Sequence, residues 1–172
     1  MSWPPDVIYT SPLDRAKFTA FTIAEKFNLK PVIIPELEEI NFAEWEGQSI
    51  KELQLNQRDN FSHWREDPFF NPPQNAEIWE NLSARLSKAV EIFMSEPYKR
   101  IVVVSHGGVM RALYAVFLGF NPHKTWNMDV SNCSMSGIEI RHSQPVLAFL
   151  NDNMHIRAGE YGEKLPVWGE KL

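Results

Sequence analysis

The 172 residues include 44% hydrophobic and 12% aromatic side chains, enough apolar volume for one folded domain and too much for a disordered or fibrous chain. A formal net charge of -5, with both signs interspersed and no basic run, argues against a nucleic-acid surface and leaves room only for a few arginines around an anion. The single cysteine, Cys133, excludes an intramolecular disulfide and a cysteine-built metal site and is expected to start a strand.

No apolar run approaches the roughly 20 residues of a membrane span. The opening Met1-Ser2-Trp3-Pro4-Pro5-Asp6 has neither the basic nor the apolar region of a signal peptide. A cytoplasmic domain without a membrane or nucleic-acid partner is therefore expected.

Val7-Ile8-Tyr9-Thr10 is a β-prone run and predicts a strand. Next comes a helix start, with Ser11 as N-cap, Pro12 at the first helical position and Asp14 in the first turn. Leu13, Ala16, Ala20, Ile23, Ala24 and Phe27 recur at helical spacing, and Asn28 is the stop signal. Val32-Ile33-Ile34, enclosed by Pro31 and Pro35, predicts a second strand.

The stretch 36–75 is irregular, with short helices expected around 50–55 and 61–65 and a loop over 69–75. Ile78, Leu82, Leu86, Val90 and Phe93 predict an amphipathic helix over 76–94. Ile101-Val102-Val103-Val104 is a continuous apolar run of the kind found in buried parallel strands. It passes through Ser105-His106-Gly107-Gly108 into a helix over 109–117. Segments 133–140 and 146–150, joined by a polar turn, predict an antiparallel hairpin, and Val167-Trp168 is expected to dock near the end of the chain. Strands alternating with helices indicate a three-layer α/β domain.

Two strand-to-helix junctions carry the chemistry. In a parallel sheet they lie on one edge, where ligands bind, and helix N-termini there present N–H groups to an anion. Arg15 offers a planar donor fork for phosphate. His106 offers an imidazole that titrates near neutral pH, and Gly107 and Gly108 permit close backbone approach. Composition and spacing alone reach an α/β domain with an anion site.

The motifs extend this reading. Thr10-Ser11-Pro12-Leu13-Asp14-Arg15-Ala16-Lys17-Phe18-Thr19-Ala20 resembles the S-P-L-x-R-A-x-x-T-A motif of the histidine phosphatase, phosphoglycerate-mutase-like superfamily. Leu37-Glu38-Glu39-Ile40-Asn41-Phe42-Ala43-Glu44-Trp45-Glu46-Gly47 resembles its L-x-E-x-x-F-G-x-W-E-G segment. Val104-Ser105-His106-Gly107-Gly108 resembles its second histidine motif.

The resemblance covers nearly the whole chain. It implies an α/β/α sandwich with a mostly parallel sheet, spanning 1–172 as one domain. It also implies phosphomonoester hydrolysis of the α-ribazole-phosphatase-like or broad-specificity kind, acting on a small phosphorylated substrate without metal or organic cofactor. Carried over, Arg15 and Gly107 bind the phosphoryl group, His106 is the second pocket histidine and Glu39 is the general acid. Glu44 and Glu46 are alternative acids, and Glu77 is a softer match to the glutamate of P-G-G-E-S. Trp45 is expected to pack beneath its loop, and Phe18 to serve in packing with no part in the chemistry. Trp64, Phe69 and Phe70 either line the pocket or pack.

The superfamily's R-H-G segment, which carries the nucleophilic histidine at the end of a central strand, has no counterpart in the sequence. The domain is therefore expected to be N-terminally incomplete, to lack its first central strand and to be catalytically incomplete alone. His106 and His63 are poor replacements for the nucleophile. A central strand buries several large side chains at about 1.5–3 kcal/mol each, against a domain stability of about 5–15 kcal/mol. The gap is therefore expected to be filled by a longer chain, by a homo-oligomer or other strand-complementing partner, or by rearrangement. A non-catalytic phosphate-binding or regulatory protein is the alternative function. A serine hydrolase lacks its G-x-S-x-G elbow, and a dinucleotide-binding domain lacks G-x-G-x-x-G.

Overall fold

In the computed structural model, which describes residues 4–95 and 97–157, strand β1 (Val7–Thr10) is buried along its whole length. It is the middle strand of a parallel sheet, flanked by β2 (Val32–Ile33) and β3 (Ile101–Val104). The register runs Val7 to Ile101 through Thr10 to Val104 on one side, and Tyr9 to Val32 and Thr10 to Ile33 on the other. Parallel strands end on a common edge, so Thr10 and Val104 deliver the segments that follow them to one place.

β1 pairs directly with β3 over four residues, and among the described residues β3 has no second strand beside it, so the edge where a further strand was expected stays unpaired. This corrects the reading of Ile101–Val104 as a buried strand. It is an outer strand of its sheet, and all four of its residues are only partly buried. An apolar run records hydrophobicity, not position in the strand order.

Alternation along β1 splits the core into two layers. Ile8 faces helix α1 (Asp14–Phe27) and packs with Ala20 and Ala24. Val7 and Tyr9 face α4 (Trp79–Ser95) and α5 (Gly107–Leu118), in a core that includes Leu82, Leu86, Phe93, Val109 and Leu113. The result is helix, sheet, helix.

α1 begins at Asp14 with Leu13 as a cap that makes no side-chain bond, so Ser11 is not its N-cap and Pro12 lies before the helix. Asn28 ends the helix at a φ of 53°, as a left-handed stop. Ala16, Ala20 and Ala24, spaced by four, form the buried face. Phe18 lies two residues from Ala16 and Ala20, on the opposite side, and is 76% exposed, which corrects its expected role in packing. α4 starts at Trp79, three residues later than predicted, because Glu77 is held outside the helix. Its N–H donates to the Asn41 carbonyl at 2.8 Å.

Between β2 and α4 lie two single-turn 3₁₀ segments, Pro35–Leu37 and Ala43–Trp45, and helices α2 (Ile50–Asn56) and α3 (Arg58–Glu66). Trp45, Leu53 and Phe61 form a small core there. Trp64 and Phe69 both pack on Trp126, and Phe70 stacks on His123.

Strands β4 (Met135–Arg141) and β5 (Gln144–Asp152) form the predicted hairpin as a separate antiparallel pair. His142 and Ser143 turn it at φ values of 51° and 61°. Cys133 is exposed, with a φ of 58°, in the turn before β4 and not at the strand's start. A four-residue helix, α6 (Met154–Arg157), follows. No helix among the described residues is long and apolar enough to cross a membrane. Val167-Trp168 lies outside the described residues.

Candidate active site

The carboxyl edge of the parallel sheet brings together Ser11 from the end of β1, His106 from the end of β3 and Arg15 from the first turn of α1. His106 is almost wholly buried. Its Nε2 lies 2.7 Å from the Ser11 hydroxyl, and its Nδ1 accepts a hydrogen bond from Arg15 Nε at 3.2 Å. A guanidinium can only donate, so Nδ1 carries no proton and Nε2–H donates to Ser11. The ring is neutral. Burial, then the charge of Arg15, then that of Arg85, pushes its pKa down from 6.5 to about 4.

Glu39 approaches from the segment after Pro35–Leu37, which is tied to the end of β3 by a bond from the Ser105 hydroxyl to the Leu37 carbonyl at 2.8 Å. Glu39 Oε1 accepts from the Ile40 N–H at 3.0 Å and from the Val109 N–H, in the first turn of α5, at 3.3 Å. Burial raises its carboxyl pKa, against the lowering effects of the Ile40, Gly108 and Val109 amides and of Arg15. The glycine that this approach requires is Gly108. A Cβ there would lie 2.8 Å from Glu39 Oε1 and 2.6 Å from Ile40 Cδ1. Gly107 opens α5, and its carbonyl accepts from Arg111 Nη1 at 3.1 Å.

Arg15 and Glu39 line a common cleft of about 860 Å³ with Asn41, Glu46, Glu77 and Arg85. His106 bonds to Arg15 but is not among the residues that line the cleft. Glu46, one of the two alternative acids, reaches the cleft and accepts from the Phe42 N–H at 3.3 Å. Glu44 is exposed outside it. Glu77 reaches it as a bidentate partner of Arg85, at 2.6 and 2.8 Å, while Arg85 Nη1 donates to the Glu36 carbonyl at 2.5 Å. Trp64, Phe69 and Phe70 do not line the cleft.

Sequence reasoning missed Ser11 as the partner of His106, and it missed Arg85. The only local trace of Arg85 is its place on α4, two turns beyond Glu77. The other four histidines are elsewhere. His63 is exposed on α3 beside Glu66, His123 pairs with Asp67, His142 is in the hairpin turn and His155 is on α6. Among the described residues no cluster of three or more His, Cys, Asp or Glu is placed to hold a metal ion.

The fold and site define an α/β protein with a guanidinium, an imidazole and a protonatable carboxyl gathered at the carboxyl edge of a parallel sheet. A family model described as histidine phosphatase superfamily (branch 1) matches residues 1–153. Phosphoserine phosphatase 1 of Hydrogenobacter thermophilus is 34% identical over 161 residues, which cover 91% of this chain and 74% of that protein. The crystal structure of the alpha-ribazole phosphatase from Shigella flexneri superposes with a TM-score of 0.74 at 30% identity, over 86% of this chain and 74% of that one. A histidine-to-alanine mutant of phosphoserine phosphatase from Entamoeba histolytica, solved in complex with phosphoserine, superposes with a TM-score of 0.74 at 27% identity, over 88% and 76%. The chain belongs to the histidine phosphatase superfamily, branch 1, and has its phosphoglycerate-mutase-like α/β fold.

Proposed function

We propose that the cleft grips the phosphoryl group of a small phosphomonoester, and that the 172 residues contribute the cradle and the acid of a phosphomonoesterase that works in the cytoplasm. The observation that carries this reading is the Arg15–His106 contact beside a carboxyl whose pKa is raised. Arg15 presents N–H donors to phosphoryl oxygens, and the N–H of Gly107, at the start of α5, adds a further donor at the same edge. Glu39, whose carboxyl pKa burial raises, is suited to hand a proton to the departing alcohol oxygen as the P–O bond breaks.

Hydrolysis through a phosphohistidine needs an imidazole nitrogen with a free lone pair to attack phosphorus. Water then attacks the phosphohistidine and regenerates the ring. His106 does not fit that role, because Nδ1 is occupied by Arg15 and Nε2 points its hydrogen at Ser11. On its own, then, this chain binds the phosphoryl group and hydrolyses the phosphomonoester poorly or not at all. The complex of the Entamoeba histolytica mutant with phosphoserine supports the separation of binding from turnover.

Two assays test this together: hydrolysis of p-nitrophenyl phosphate and binding of orthovanadate, each on the 172-residue chain and on His106→Ala. Expected are vanadate binding that weakens in His106→Ala and no turnover in either protein. Turnover that His106→Ala abolishes would make His106 the nucleophile and overturn the assignment of roles. Absence of vanadate binding would remove the phosphoryl pocket altogether.

A further inference from the structure

On the far side of α1 from the sheet core, Phe18 is 76% exposed and Phe21 is 52% exposed, and Ile33 of the outer strand β2 is 48% exposed. These three side chains line one open groove together with Asp14, Lys17, Thr22 and Glu25. Two phenyl rings and a β-branched side chain side by side in water form an apolar patch of the kind that marks an interaction surface. α1 is anchored through Ala16, Ala20 and Ala24, and among the described residues none of Phe18, Phe21 and Ile33 belongs to a core cluster.

The charges around the patch specify its occupant. Lys17, Phe21 and Glu25 stand at i, i+4 and i+8, in one line along the helix. Phe21 is the midpoint, with one cation four residues before it and one anion four residues after it. An antiparallel copy of the same helix, related by a two-fold axis at Phe21, brings Lys17 against the partner's Glu25, Glu25 against the partner's Lys17, and Phe21 against the partner's Phe21. The line is complementary to itself, as a two-fold interface demands of a single surface. The exposed acid Asp14 already contacts Lys17 at 2.8 Å within the chain, so Lys17 would sit between two carboxylates.

We propose that two copies of this chain associate through α1, Phe21 against Phe21, with Phe18 and Ile33 of each copy closing the groove. The phenyl groups supply the affinity, and the two Lys17–Glu25 pairs set the register. The patch shares no lining residue with the cleft of the phosphoryl site.

Sedimentation equilibrium of the 172-residue chain over a range of concentrations tests this. A monomer–dimer equilibrium is expected, and Phe21→Asp, which puts two carboxylates on the axis, should raise the dissociation constant by about 100-fold or more. Lys17→Glu and Glu25→Lys should each weaken association, and the double variant should recover it. Leu55→Asp, at an equally exposed leucine on α2 outside the groove, should leave the equilibrium unchanged. A chain that stays monomeric at every concentration overturns the proposal, as does a dimer indifferent to Phe21→Asp or a double charge variant no better than the singles. Co-sedimentation of a monomer with phosphatidylcholine vesicles, lost in Phe21→Asp, would assign the patch to a membrane surface and also overturn it.

Discussion

His106 is held at both ring nitrogens, and this fixes its charge. In the unfolded chain an imidazole takes up a proton near pH 6.5, whereas in the fold it does so near 4. Between these values the unfolded state binds the proton and the folded state does not, so stability is complete above about 6.5 and is lost as pH falls toward 4. The loss amounts to about 3 kcal/mol. Urea unfolding from pH 7 to 4 should show it, and His106→Asn should flatten that part of the profile.

Glu39 acts in the opposite sense. Its raised carboxyl pKa means that the folded chain keeps a proton after the unfolded chain has lost it. This contribution is complete below 4.5 and declines as pH rises through the folded value. Glu39→Gln should therefore remove an alkaline-side loss. Ser11→Ala leaves the buried Nε2–H without an acceptor and should cost about 1–3 kcal/mol in the same assay. The pairing of Glu77 and Arg85 gives a further test. Glu77→Ala leaves a mostly buried guanidinium uncompensated and should lower stability by about 3 kcal/mol, while adding positive charge to the cleft and tightening phosphate binding.

At the scale of elements, the β3–α5 junction is the part most firmly specified locally. The strand is four consecutive β-branched residues, and the two glycines that follow suit a close approach. The structure divides their labour. Gly108→Ala drives a methyl group into Glu39 and Ile40, and thermal unfolding should show a loss of about 1–3 kcal/mol. Gly107→Ala meets only the end of the Arg111 side chain at 3.2 Å and should be nearly neutral.

The β1–α1 junction was legible as an element pair but misread in detail. The preference of serine for an N-cap is a local tendency, and here it yields to a partner 95 residues away. The start of α4 moved for a similar reason, since Glu77 answers to Arg85 and Asn41. Arg15, Glu39 and His106 could be picked out by motif. Ser11 and Arg85 could not, because each gained its role only from a contact created by the fold. The alanine spacing sets the inner face of α1 and leaves Phe18 outside it, against the general preference of a phenyl group for burial.

For the whole molecule, the order β2-β1-β3 decides everything at the site. Direct pairing of β1 with β3 places the two junctions side by side, so that Arg15 and Ser11 reach the two nitrogens of one ring. Strand order is a property of the assembled sheet, and for this reason the outer position of β3 was invisible in its apolar sequence. The same assembly sets α1 against one face, so that its phenylalanines point away from the site. Calorimetric titration of inorganic phosphate at pH 7, into the 172-residue chain and into Arg15→Ala, is the most direct test of the phosphoryl pocket. One phosphate should bind per chain, and Arg15→Ala, stripped of the planar donor fork, should weaken it by about 100-fold. Equal binding by both proteins, or no binding by either, would contradict a phosphoryl pocket built on Arg15.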